Sequence, residues 1–193
     1  LTYKKSVTFE LKNVIRVLTE APIISLNQLR IAQFLSDYYY APLGLCLKTV
    51  LPPFFDRAGI IASQPSRVEQ KFILIPEKIL ADYYLEKYQT DTPVFISSST
   101  GRKEFLAIWN KVARAEVGTI IGTRRGLFLP FANLRQIIVE DESNPAYKSD
   151  MAPRYHAVDL AAWLAQLHKA SINYHAIVPR LETYHRHKAT TGK

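Results

Sequence analysis

Two runs rich in β-branched residues between Val117 and Asp159, each ending abruptly at a polar cluster, set the strongest limit on what this chain can fold into. The first, Val117-Gly118-Thr119-Ile120-Ile121, stops at Gly122-Thr123-Arg124; the second, Ile137-Ile138-Val139, stops at Glu140-Asp141-Glu142. Short apolar runs bounded by turn residues are what strands look like when a parallel sheet is buried on both faces. In such sheets ligands gather just past the carboxyl ends of the strands. An arginine and a hydroxyl at one strand end, and carboxylates at the next, suit a site that handles phosphates and a divalent metal.

The remaining pattern supports an α/β reading. From Lys71 onward, strands are predicted at about 72–75, 93–97, 117–121, 136–139 and 172–176, and helices at about 77–88, 102–115 and 156–169. That alternation gives a parallel sheet with right-handed crossovers. Ahead of it, Leu11 to Leu18 and Ser25 to Tyr40 carry apolar residues at three- and four-residue spacings, with Ser25 placed to cap the second helix and Glu20-Ala21-Pro22 breaking the first. Leu43 to Val50 reads as a third short helix, ended by Pro52-Pro53.

At 193 residues and 48% apolar content, the chain can bury one core and carry a small appendage. A net charge of +8 favours a polyanionic partner, but the charge is spread evenly, so it raises the expectation of nucleic acid only modestly. The lone Cys46 excludes an internal disulfide and every multi-cysteine zinc module, and is expected to be core packing. The opening Leu-Thr-Tyr-Lys-Lys is not a signal peptide and no segment has the length of a membrane span. A reducing cytoplasm is the expected compartment, and a start without Met suggests a fragment or a shortened product.

Gly122-Thr123-Arg124, Leu127-Phe128-Leu129-Pro130, Ile137-Ile138-Val139, Glu140-Asp141-Glu142-Ser143, Tyr147-Lys148 and Arg154-Tyr155-His156-Ala157-Val158-Asp159 occur in that order. The series resembles the first motor lobe of the primosomal replication-restart helicase family (PriA). Phe72-Ile73-Leu74-Ile75-Pro76-Glu77 is similar to the strand and turn that follow the family's ATP site, and Asp37-Tyr38-Tyr39-Tyr40-Ala41-Pro42-Leu43-Gly44 to the end of its amino-terminal DNA-binding region. The resemblance implies a partial, mostly helical DNA-binding domain over 1–55, a linker over 56–70, an incomplete RecA-like helicase lobe over 71–182 and a basic tail over 183–193. Only the back half of that DNA-binding domain is matched; the front half, whose strands form the family's pocket for the terminal hydroxyl of a nascent strand, is expected to be mostly absent, and no residue is assigned to that pocket.

A phosphate loop of the form G-x-x-x-x-G-K-[ST] is absent: of seven glycines only Gly192 precedes a lysine, at the last residue. Seventeen residues separate Pro53 from Lys71, too few for the winged-helix domain and phosphate loop that the family places there. The acidic box is altered as well. The resemblance assigns metal binding, water activation and coupling to DNA to an Asp, a Glu and a His, where this chain has Glu140, Asp141 and Ser143. A carboxylate shortened by one carbon misplaces its water, which costs about a hundredfold. Glu140, Asp141 and Glu142 are thus a degenerate catalytic box, or, in the alternative, a solvated acidic turn. ATP and magnesium belong to intact family members; no cofactor is expected for this chain and no metal site is assigned.

Contact with DNA is the function expected to survive. Thr123 and Arg124 offer a hydroxyl, a backbone amide and a guanidinium, the mixture that positions a phosphate backbone without reading sequence. Lys78 sits at a predicted helix start, where anions are favoured. Tyr147 and Tyr155 either present faces for base stacking, with Lys148 and Arg154 as phosphate partners, or tie their loop to the domain by hydrogen bonds. His175, His185 and His187 lack catalytic zinc spacing, Ser97-Ser98-Ser99-Thr100-Gly101 lacks a nucleophile elbow, and Tyr38 to Tyr40 are expected to bury one or two rings. The reading is a primosomal helicase-like protein without ATPase activity, with single-stranded or forked DNA and other primosome proteins as partners. Its alternatives are a helicase subunit completed by another chain or by missing sequence, and a protein-interaction module of the replication machinery.

Overall fold

The structure, a computed structural model, describes residues 22–52, 68–88 and 92–185. The helix expected at Leu11 to Leu18, most of the linker over 56–70, and residues 186–193 of the basic tail lie outside the described residues. Among the described residues, no helix is long and apolar enough to cross a membrane.

Two helices come first. Helix α1 (Leu26–Tyr38) begins at Ser25, whose hydroxyl accepts from the Gln28 amide while the Gln28 side chain accepts from the Ser25 amide, a reciprocal capping box. Helix α2 (Leu43–Val50) ends where Pro52 would have to continue it. The α/β unit follows as β1 (Gln70–Leu74), α3 (Ala81–Lys87), β2 (Val94–Ile96), α4 (Arg102–Ala113), β3 (Thr119–Gly122), β4 (Leu134–Glu140), α5 (Ala157–His168) and β5 (Ser171–His175). All strand pairs are parallel, in the order β2-β3-β1-β4-β5. The fold class is the expected one, a parallel-sheet α/β unit preceded by a small helical unit.

Successive residues of a strand face opposite sides of the sheet, and β1 uses both. Phe72 and Leu74 join the large core with Ile120, Ile137 and Val139 of the neighbouring strands, Trp109 of α4 and Leu160 and Leu164 of α5. Ile73 and Ile75 join Ile121 and Ile138 in a smaller core under Ala81 and Tyr84 of α3. The large core also takes in Ile31, Leu35, Cys46 and Val50, so α1 and α2 share a core with the sheet unit. Gln28 fixes that junction: its amide nitrogen donates to the carbonyl of Phe128 at 2.9 Å, within a stretch that is otherwise apolar. Cys46 is fully buried, as its expected packing role requires.

Register sets what meets at the carboxyl edge. Ile96, Gly122, Leu74, Val139 and Tyr174 form one row across the sheet, so the segments that follow these strands emerge side by side. Gly122 is required there, because a Cβ at this position would lie 2.6 Å from the Ile96 side chain. Helix α3 starts later than the predicted 77, since Lys78–Leu80 forms a 3-10 turn first.

Candidate nucleic-acid interface

A cleft of about 830 Å³ opens at this carboxyl edge. Its rim carries Lys78 after β1, Arg124 and Arg125 after β3, and Lys148 from the loop beyond β4, with Thr123, Ser98 and Ser149 supplying hydroxyls; the carboxylates of Glu77 and Asp150 also line it, so cations outnumber anions four to two. Five of the residues singled out as DNA-contacting, Thr123, Arg124, Lys78, Lys148 and Tyr155, line this one space. The reason is topological. Parallel strands of matched register deliver their outgoing loops to the same edge.

Each cation is held differently. The Arg124 guanidinium donates to the carbonyl of Lys148, bridging the two loops across the cleft. The Lys148 ammonium donates to the carbonyl of Arg154 at 2.7 Å and lies 5.9 Å from the centre of the Tyr39 ring. Arg125, which the sequence did not single out, lies over the Phe105 ring, with Cζ 4.2 Å from its centre, and donates to the carbonyl of Ser98 at 3.3 Å. Burial lowers its pKa somewhat from the ordinary arginine value. Lys78 is exposed, and among the described residues it has no ion pair or side-chain hydrogen bond. It also lines a second groove of about 490 Å³ with Ser97, Ser99, Thr100 and Lys111.

The two tyrosines take the structural alternative. Tyr147 is fully buried, and its hydroxyl donates toward the carbonyls of Leu74, at 3.0 Å, and Glu140. Its ring presents no face to a base. Tyr155 is 6% exposed and packs edge-on to Phe128, so it forms cleft wall rather than a stacking platform, and burial pushes its phenol up to about 12. Arg154 is exposed outside the cleft lining, and its carbonyl receives Lys148. Asp159 holds Arg180 at 2.9 Å, which anchors the segment beyond β5 to α5.

The acidic box is not a solvated turn. Glu140 and Glu142 are 4% and 1% exposed, and only Asp141 faces water. A single oxygen of Glu140, Oε1, accepts from Lys87 Nζ at 2.8 Å and Tyr88 Oη at 2.5 Å, and His175 Nδ1 lies 3.1 Å away. Burial works to raise the Glu140 pKa, but the hydrogen bonds from Lys87, Tyr88 and His175 outweigh it and hold the carboxyl below its ordinary value. Asp141 has left-handed backbone, φ 49°, and its carboxylate accepts from Asn144 at 2.9 Å. Glu142 accepts from Thr183 Oγ1 at 2.6 Å and from the Arg180 amide at 3.2 Å.

Three adjacent carboxylates therefore point to three separate sets of partners. This arrangement does not fit a magnesium ion, which needs carboxylate oxygens facing an open, hydrated position. Among the described residues no group of three or more His, Cys, Asp or Glu side chains could hold a metal. Two earlier expectations change with it. His175, set aside as lacking zinc spacing, is a working partner of Glu140, and Thr183 is packed against Glu142 rather than lying in a tail. Of Tyr38 to Tyr40 only Tyr39 is partly buried, and its hydroxyl accepts from the His156 amide at 3.1 Å.

Residues 2–52 match the PriA 3′BD family model, described as 3'DNA-binding domain (3'BD). The replication restart protein PriA of Bacillus subtilis (strain 168) is 32% identical over 123 residues, which cover 61% of this chain and 15% of that protein. PriA of Haemophilus influenzae is 32% identical over 118 residues, 60% of this chain and 16% of that protein. PriA of Rickettsia prowazekii (strain Madrid E) is 31% identical over 133 residues, 67% of this chain and 20% of that protein. The chain spans about a fifth or less of the length of these curated relatives.

Proposed function

The chain belongs to the replication restart protein PriA family, and on that premise we propose that it is a DNA-binding, helicase-like protein of replication restart that turns over no ATP. It holds single-stranded or forked DNA by the phosphate backbone and reads no sequence. The observation that carries this reading is the convergence of Lys78, Arg124, Arg125 and Lys148 around one cleft at the carboxyl edge of the sheet. Cations and hydroxyls without an array of base-reading groups position a backbone. The match of residues 2–52 to a 3'DNA-binding domain supports it from the other end of the chain.

Two observations support the silent nucleotide side. The 193 residues contain no phosphate-loop pattern, and the carboxylates of the acidic box are engaged by neighbouring side chains. DNA contact and ATP chemistry thus part company in this chain.

Fluorescence anisotropy with labelled single-stranded and forked DNA, in EDTA and at two salt concentrations, tests the reading. Neutralising about three phosphates predicts roughly a twenty- to fortyfold loss of affinity between roughly 50 and 200 mM salt. Binding that ignores salt, or no binding, would instead mark a protein-interaction module. ATP turnover stimulated by single-stranded DNA would establish a helicase subunit completed by other sequence.

A further inference from the structure

The buried carboxylates at the end of β4 do something other than wait for a metal. Glu140 faces α3 and β5, and it collects Lys87 from the end of the first, Tyr88 just beyond it and His175 from the second. Glu142 faces the segment after β5 and collects Arg180 and Thr183. The five bonding residues are separated by 35 to 53 residues from Glu140 and by 38 and 41 from Glu142, so these contacts are purely tertiary.

A carboxylate that is almost removed from water needs a compensating positive charge. In a metal-dependent site a divalent cation supplies it. Here the Lys87 ammonium stands 2.8 Å from Oε1, and its Nζ also lies 5.2 Å from the ring of Tyr88 and 5.5 Å from that of Tyr84. Those rings fix its stem and favour its charge. A divalent cation placed on the same oxygen would meet the ammonium at close range and would have to displace the Tyr88 hydroxyl.

We infer that Glu140 and Glu142 form a metal-independent clamp, in which Lys87 supplies from within the chain the charge that a divalent cation would otherwise bring, locking α3 and the 175–183 segment onto the end of β4. The inference rests on the proposed function only in taking these acidic residues to have no part in nucleotide chemistry, and it adds what they do in its place. Loss of the clamp loosens the smaller core beneath α3, because Tyr84 and Ala81 sit on the same helix as Lys87.

Titration of the full chain with Mn²⁺, followed by electron paramagnetic resonance, and thermal melts in EDTA and in magnesium test it. The clamp predicts no saturable Mn²⁺ binding and the same melting temperature in both buffers. Lys87→Met and Glu140→Gln are each expected to lower the melting temperature by about 5 °C or more, and the double variant by less than the sum, because removing both partners leaves no buried orphan charge. Saturable Mn²⁺ binding that Glu140→Gln abolishes, or additive losses in the double variant, would overturn the clamp. Should a single variant fail to fold, the wild-type titration decides. DNA affinity in EDTA is unchanged in folded Lys87→Met, because Lys87 lies outside the cleft. ATP turnover that persists in Glu140→Gln would contradict the proposed function and leave the clamp standing.

Discussion

The phenol of Tyr147 reaches the carbonyl of Leu74, 73 residues earlier in the chain, at 3.0 Å, and thereby ties the loop beyond the acidic box to the last residue of β1. The same hydroxyl serves the carbonyl of Glu140, so one buried proton sits between the ends of two adjacent strands. Tyr147→Phe leaves two buried acceptors short of a donor and is expected to cost about 1–3 kcal/mol in urea denaturation. DNA affinity of the folded variant stays at the wild-type value. A selective loss of DNA binding with unchanged stability would return Tyr147 to a stacking role.

Lys78 and Arg124 line the same cleft but differ in what else they do, and that difference separates affinity from stability. Lys78 has no partner among the described residues, so Lys78→Ala should lower the salt slope of DNA binding by about 0.7–1 and leave stability within about 0.5 kcal/mol. Arg124→Ala removes the same kind of phosphate contact and also the donor to the Lys148 carbonyl, so it should add a stability loss of about 0.5–1.5 kcal/mol. Parallel anisotropy and urea titrations read both quantities. Equal stability losses in the two variants would contradict the distinction.

The sheet was legible in the sequence because its strands are short apolar runs stopped by polar clusters, and β4 extends the predicted 136–139 at both ends, to Leu134–Glu140. The boundaries of α4 and α5 fall within about two residues of the predicted ones, since Gly101 and His156 mark their starts. Ser25-x-x-Gln28 carried the signal for a full capping box, of which only the Ser25 half was read. The site was half legible. Thr123, Arg124 and Lys78 follow strand ends, and parallel strands send such residues to one edge. The partners of Glu140 were not legible, because Lys87, Tyr88 and His175 meet it only through the packing of α3 and the register of β5. Arg125 was missed since its value lies in its contact with Phe105, which no local pattern announces.

Gly126 and Gly44 should respond to alanine in opposite directions. A Cβ at Gly126 would lie 2.6 Å from Cε2 and 2.7 Å from Cζ of Phe72, a fully buried ring, so Gly126→Ala must push the ring or the loop and should cost about 1–3 kcal/mol. Nothing lies within 4 Å of a Cβ at Gly44, inside α2, where alanine should gain about 0.5–1 kcal/mol from helix propensity. Urea midpoints at constant slope measure both. Because Gly126 follows Arg124 by two residues, DNA affinity should fall in Gly126→Ala as well.

His168, the last residue of α5, sits edge-on to Phe131 with ring centres 6.3 Å apart, and burial lowers its pKa from 6.5 to about 4. The unfolded chain therefore binds a proton below pH 6.5 that the folded chain refuses until about pH 4. Stability from this group is full above the unfolded value, declines as pH falls from 6.5 toward 4, and is flat below that. The slope for one proton is at most about 1.4 kcal/mol per pH unit. His156 is depressed too, first by burial and then by Arg180, and contributes a smaller slope in the same range. Glu140 acts lower, because its depressed pKa preserves stability until the pH falls below the ordinary carboxylate value of 4.5. Urea titrations between pH 5 and 7 should thus show stability rising with pH in the wild-type chain, with His168→Gln removing most of the rise. A slope unchanged in His168→Gln would place the proton uptake on another group.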